Sequence, residues 1–348
     1  MLGLLWAHPA INTSGSSPNN ERFRIPFSIH PIGRIRQNLD EIFDFPLNAV
    51  RSWGLHPAPA CEIVNPMFQS NLLKGKRILI TGGGSGLGKA MALRYAELGA
   101  DLVICGRRAE VLDEAAREIS KATQRQVETF PCDVRNPEAV ETMVESIFQK
   151  GPLHGLVNNA AGNFVSRTED LSHRAVDAVL GIVLHGTAYI TLACGKRWLQ
   201  NKQPASVISI VTTYAWTGSA YVVPSAMGKA GVLALTRSLA VEWGGRGIRV
   251  NAIAPGPFPT PGAWERLIPN AEMAETIANK NPLRRVGEHL ELGNLASYLM
   301  SDQAGFINGE VITIDGGEWL KGAGEFNFLE KLSDDDWQKM KAAGKKQG

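Results

Sequence analysis

Four side chains that can do acid, base or hydrogen-bond chemistry stand at the ends of apolar runs. Tyr214 closes Val211-Thr212-Thr213-Tyr214, Asn163 lies in Asn158-Asn159-Ala160-Ala161-Gly162-Asn163-Phe164, and Ser225 precedes Lys229 by four residues in Ser225-Ala226-Met227-Gly228-Lys229. That interval is one helical turn, so the serine and the lysine share a face. Each residue also has a plainer use: Asn163 in a turn, Tyr214 as a half-buried aromatic with its hydroxyl satisfied, Lys229 as a solvated helix lysine. Three polar groups at strand ends beside a phosphate-binding turn are harder to explain by those uses together.

That turn is Thr81-Gly82-Gly83-Gly84-Ser85-Gly86-Leu87-Gly88, between an apolar run and a stretch with helical spacing, Lys89 to Leu98. Glycines let the backbone turn tightly and approach a pyrophosphate, whose charge the free amides and dipole of the new helix offset. Gly82, Gly84, Ser85, Gly86, Leu87 and Gly88 are the expected cofactor contacts. About twenty residues on, a dinucleotide fold reads the adenosine ribose, with an acid for a free 2′-hydroxyl or a base for a 2′-phosphate. Here the run ends in Cys105-Gly106-Arg107-Arg108 with no carboxylate, so Arg107 and Arg108 favour NADP(H) over NAD(H). Asp133 is placed either for an adenine contact or as a cap for the helix after Pro137.

The positioning elements follow from seven apolar runs alternating with helical patterns: Arg77–Thr81, Asp101–Cys105, Val127–Cys132, Gly155–Asn158, Ser206–Val211, Ile248–Ile253 and Val311–Ile314. They predict an α/β, Rossmann-type, doubly wound parallel sheet of seven strands with helices on both faces. Residues 1–70 hold eight of the nineteen prolines and show no sustained period, which reads as an irregular N-terminal arm. The reductase domain is expected over 71–325 and a C-terminal extension over 326–348, with a short helix opened by Ser333 as N-cap. With 36 Lys+Arg against 34 Asp+Glu, no long-range field draws in nucleic acid or an anionic membrane. The four cysteines (Cys61, Cys105, Cys132, Cys194) form no CxxC pair, suggesting a reducing compartment, no disulfide framework and no metal site. No membrane span is expected, the first ten residues argue against a secretory signal, and the closing Lys346-Gln347-Gly348 is not a peroxisomal address.

The glycine turn, Asn158-Asn159-Ala160-Ala161-Gly162, Lys229 and Pro255-Gly256 occur in the order that resembles the short-chain dehydrogenase/reductase family over about residues 75–317. Ordinary members carry Tyr-x-x-x-Lys. This chain has Ser225 in the tyrosine position, and an aliphatic hydroxyl is too weak an acid to replace a phenol near neutral pH. With Tyr214 displaced upstream, and with Asn158 to Phe164, Val222 to Gly231 and Gly324 to Asn327, the chain looks like the 2,4-dienoyl-CoA reductases of mitochondrial type from about Met67 onward.

The resemblance implies a role for each matching position. Tyr214 and Asn163 would hydrogen-bond the thioester oxygen, Lys229 would hold the nicotinamide ribose, and Ser225 would be the serine of the former tyrosine position. Asn159 would belong to the cofactor site, and Pro255, Gly256, Pro257 and Phe258 would run along the nicotinamide. Arg135, Phe164, Ser172 and Arg266, with Asn163 and Tyr214, would contact an acyl-CoA. The implied reaction is NADPH-dependent reduction of 2,4-dienoyl-CoA to 3-enoyl-CoA in β-oxidation of unsaturated fatty acids. The implied assembly is a homotetramer, in a bacterial-type cytoplasm or, alternatively, the mitochondrial matrix. A 2-enoyl or 3-ketoacyl thioester reductase of the same family and a non-catalytic dinucleotide sensor remain alternatives.

Overall fold

The computed structural model describes residues 68–260 and 270–344. The expected arm up to residue 67 and the expected substrate contact Arg266 lie outside the described residues. Seven parallel strands form one sheet in the order β3-β2-β1-β4-β5-β6-β7. They are β1 (Arg77–Thr81), β2 (Asp101–Gly106), β3 (Val127–Pro131), β4 (Gly155–Asn158), β5 (Ala205–Ile210), β6 (Ile248–Pro255) and β7 (Val311–Ile314). Relative to the sequence reading, β5 begins and ends one residue earlier, and β6 runs on to pair Pro255 with Ile314.

The central strands are mostly apolar because both of their faces are covered, and alternate side chains feed different cores, whereas the edge strand β3 carries Glu128 and Thr129 and is only partly buried. Ile78 and Ile80 of β1 face one cluster while Leu79 faces the other, and β2 divides in the same way, Leu102 and Ile104 against Val103 and Cys105. The first cluster is closed by α1 (Gly86–Glu97), α2 (Ala109–Thr123) and α9 (His289–Met300). The second is closed by α3 (Pro137–Gln149), α5 (Thr187–Gln200) and α7 (Val223–Gly244). Ahead of α5, helix α4 (His173–Leu180) runs into it through a π-helical turn, Gly181–Gly186, so His185 lies in that turn. The combined stretch His173–Gln200 has the length and hydropathy of a membrane span, with half of its window buried. Its apolar face is accounted for by the core, where Ile190, Ala193, Cys194 and the fully buried Trp198 pack.

The remaining helices are α6 (Tyr214–Thr217), α8 (Ala271–Lys280), α10 (Glu318–Ala323) and α11 (Asp334–Gly344). Ser333 opens α11 as expected: its Oγ accepts from the Asp336 amide at 3.2 Å while the Asp336 carboxylate accepts from the Ser333 amide at 3.0 Å. The helix after Pro137 is capped differently from one of the two expectations. Asn136, not Asp133, accepts from the Ala139 amide, at 2.9 Å, because Asn136 directly precedes the proline at the first helical position.

Candidate active site

The strand order reverses between β1 and β4, and a crevice at their C-terminal ends is where such sheets hold ligands. The glycine turn leaves β1 there, and Asn158 and Asn159 leave β4 beside it. Thr81 stitches the two together: its Oγ1 accepts from the amides of Asn159 and Ala160, both at 2.9 Å. The Asn159 carboxamide donates to the Thr81 carbonyl at 2.9 Å. Its amide group therefore braces the glycine turn instead of reaching out to a ligand. A Cβ at Gly88 would fall on the Gly82 carbonyl and 2.5 Å from Asn159 Nδ2, so glycine is required for this close approach.

The cradle fits a dinucleotide's pyrophosphate. Ser85 caps α1 without a side-chain hydrogen bond, leaving its first amides free, and the first turn carries no acidic residue to repel an anion. At the tip of β2, Arg107 and Arg108 are exposed and, among the described residues, in no ion pair. Asp133 faces them from the end of β3, but its carboxylate is taken by Arg135, whose Nε donates to it at 2.9 Å and 3.0 Å. The Arg135 hydrogen bonds hold the Asp133 carboxyl below its ordinary range, with the Arg107 charge adding to them. The two residues assigned separately to cofactor and substrate are thus one ion pair. Pro255 and Gly256 border β7, where the Gly256 amide donates to the Ile314 carbonyl at 3.0 Å. Phe258 departs from the rest of the expected row in that its ring is buried in the core against Gly287 and offers little of its side chain to a ligand.

The reacting end is built on one turn of helix. Helix α6 follows β5 directly, and Tyr214 Oη lies 3.0 Å from Ser225 Oγ on α7. Ser225 is buried, and Lys229, one turn further along α7, is also buried and donates through Nζ to the Ile210 carbonyl at the end of β5. Burial without a carboxylate partner lowers the Lys229 pKa to about 8. Asn163 Oδ1 accepts from the Phe164 amide at 2.9 Å, which leaves its NH2 group as a donor without a protein acceptor among the described residues. The Asn163 loop is tied to the α6–α7 connection by the Ser166 amide, which donates to the Tyr221 carbonyl at 2.9 Å. Tyr221 adopts φ of 65°, a left-handed conformation that is costly for a bulky side chain and clusters at functional sites. Phe164 is half exposed beside this loop, whereas Ser172 is occupied as N-cap of α4, accepting from the Ala175 amide at 3.2 Å.

Two features escaped the sequence reading. Thr212 Oγ1 is buried with no hydrogen-bond partner among the described residues, beside Tyr214, as is Asn158 Oδ1 at the end of β4. A threonine pair just ahead of a strand-end tyrosine was the available signal for the first.

Residues 82–318 match the family model described as enoyl-(acyl carrier protein) reductase. The chain belongs to the short-chain dehydrogenase/reductase family. Within this family it is 43% identical over 285 residues to a Caenorhabditis elegans protein named probable 2,4-dienoyl-CoA reductase 3 [(3E)-enoyl-CoA-producing], covering 80% of this chain and 92% of that one. It is 45% identical over 250 residues to a Bacillus subtilis (strain 168) protein named probable 2,4-dienoyl-CoA reductase [(2E)-enoyl-CoA-producing], covering 71% of this chain and 98% of that one. Among solved structures, a short-chain dehydrogenase from Bacillus anthracis superposes with a TM-score of 0.64 at 46% identity, over 70% of this chain and 96% of that one. A candidate 2-deoxy-D-gluconate 3-dehydrogenase from Agrobacterium tumefaciens, solved with NADP, gives 0.67 at 30% identity over 72% of this chain and all of that one. Membership of this family implies a nicotinamide dinucleotide cofactor, with which the shape of the glycine cradle is compatible.

Proposed function

We propose that the protein reduces 2,4-dienoyl-CoA thioesters with NADPH. The observation that carries this reading is the 3.0 Å hydrogen bond between Tyr214 and Ser225. It puts the phenol on α6, against the serine that stands where an alcohol dehydrogenase has its tyrosine. The glycine cradle would hold the pyrophosphate of the cofactor, whose chemistry here would be hydride delivery to the δ carbon of the diene. As that carbon gains the electron pair, charge moves through the conjugated system onto the thioester oxygen, which Tyr214 and the free amide of Asn163 meet as donors. Either hydroxyl can donate in this bond, and with Ser225 as the donor the phenolic proton is left for the substrate. No alkoxide forms, which explains why position 225 works without an acid. Protonation of the dienolate at the α carbon gives 3-enoyl-CoA and at the γ carbon gives 2-enoyl-CoA. We assign the 3-enoyl product, with water or Tyr214 as proton donor.

Incubation with dienoyl, enoyl and ketoacyl thioesters, each with NADPH and NADH, tests the assignment. Rapid NADPH oxidation with the dienoyl thioester and NMR identification of the 3-enoyl product support it. Brisk 3-ketoacyl reduction without dienoyl turnover overturns it.

Ser225→Ala is expected to lower kcat about tenfold, the value of one hydrogen bond orienting the phenol, with KM for NADPH unchanged. Steady-state kinetics at saturating thioester measures this. Arg107→Ala is expected to raise KM for NADPH about tenfold or more and to leave KM for NADH unchanged, since a 2′-phosphate pairs with a guanidinium and a 2′-hydroxyl does not. An unaltered cofactor preference would remove Arg107 from the 2′-phosphate site.

The free, buried Cys105, Cys132 and Cys194 suit a reducing cytoplasm or mitochondrial matrix. Exposed Leu192 on α5 and Met227 and Val241 on α7 suit burial in a homotetramer, which light scattering tests.

A further inference from the structure

Helix α6 is too short to hold itself. Four residues form barely one turn, and nucleating a turn costs more than its hydrogen bonds return. Yet this turn carries Tyr214. Residues two apart on a helix point about 200° away from each other, so Trp216 leaves α6 on the side opposite the phenol. Tyr214 meets Ser225 of α7 on one side. On the other, Trp216 meets Trp319 of α10 edge to face, with ring centroids 5.9 Å apart and planes at 86°.

Trp319 is itself fixed from below. Asp315, just past β7, accepts from the Gly317 amide through Oδ1 at 2.8 Å and from the Trp319 amide through Oδ2 at 2.9 Å. Its backbone carbonyl accepts from the buried Asn281 carboxamide at 2.6 Å. Asp315 also lies against the cofactor strand: a Cβ on Gly256 would come within 2.6 Å of Asp315 Cβ. A continuous set of contacts therefore runs from Gly256 through Asp315 and Trp319 to Trp216, ending on the turn that bears Tyr214.

We propose that Trp216 and Trp319 form a clasp that positions Tyr214 from behind, with Asp315 as its anchor to the end of β6. Both tryptophans are positioning residues and touch no reacting atom. The catalytic part of the claim rests on the dienoyl reading; the mechanical part does not.

The experiment compares the full-length wild-type protein with Trp319→Ala, Trp319→Phe and, as a control at an exposed aromatic a few residues further on, Phe328→Ala. Amide hydrogen exchange over residues 212–220 reads the clasp directly, and steady-state kinetics with a 2,4-dienoyl thioester reads its consequence. Trp319→Ala is expected to speed exchange in this segment about tenfold and to lower kcat roughly ten- to a hundredfold, with KM for NADPH unchanged. Trp319→Phe keeps an aromatic edge against Trp216 and is expected to recover most of both, while Phe328→Ala matches wild type. Unchanged exchange in Trp319→Ala overturns the clasp, and faster exchange with unchanged kcat overturns its positioning role. A loss that Trp319→Phe does not recover, with a collapsed Tm, assigns Trp319 to general stability and overturns the proposal as well. If wild type turns over no dienoyl thioester, the substrate reading fails alone: exchange still decides the clasp, and kcat is read on the acyl thioester that is reduced.

Discussion

Tyr214→Phe is expected to lower kcat with a 2,4-dienoyl thioester by about 10²- to 10³-fold, the usual cost of removing one donor from an oxyanion site. KM for NADPH stays at its wild-type value, because the glycine cradle and Arg107 lie on other strands. The ring is retained, so the packing of α6 against α7 is preserved and Tm changes little. What disappears is the hydroxyl at the end of the Ser225 hydrogen bond, and with it the donor we propose for the negative oxygen. The loss belongs to kcat because that charge develops mainly after the thioester has bound. Wild-type turnover in this variant would show that the phenol does not touch the reacting system, and the mechanism would have to be rebuilt around Asn163.

The sheet was legible because its inner strands are buried on both faces and read as short apolar runs; β1, β4 and β7 agree to the residue. The glycine turn was legible because its chemistry is local, held within eight consecutive residues. What escaped reading depends on contacts between elements. Ser225 could be judged too weak an acid from its type, but its bond to Tyr214 exists because α6 folds back on α7, which spacing does not reveal. Trp216 and Trp319 are separated by more than a hundred residues, and their meeting follows from β5 and β7 lying on either side of β6. Asp133 and Arg135 show the converse. They were treated as ligands of different molecules, although two residues apart at a strand end is a natural ion-pair distance. Phe258 was assigned by its place in a row of site residues, and burial of its ring in the core overrode that.

Lys229→Met is expected to disable the enzyme and stabilise the protein at once. The wild-type ammonium is buried, and its pKa falls from 10.5 to about 8, so at neutral pH the folded protein holds a charge that the unfolded chain solvates better. The sign follows from proton counting. Between about pH 8 and 10.5 the unfolded chain binds more protons at this site than the folded one, so wild-type stability rises with pH across that window, and below it the full penalty applies. Methionine has similar length and no charge. It removes a penalty on the order of 3 kcal/mol at pH 7 but forfeits the bond to the Ile210 carbonyl, for a net gain of about 1–2 kcal/mol. The gain shrinks as pH rises toward 10.5, which chemical unfolding at a series of pH values measures. Activity is expected to move the other way: without the ammonium that we propose holds the nicotinamide ribose, kcat/KM for NADPH falls about a hundredfold or more. In wild type this parameter reports the free enzyme, so it declines as pH rises through about 8, and that limb is absent from the residual activity of Lys229→Met. A variant that is inactive but no more stable at pH 7 would show that the buried ammonium finds a counter-charge in the folded protein that restores its ordinary pKa. The opposed signs of the two effects follow if the cation is kept buried for the cofactor and at the expense of the fold.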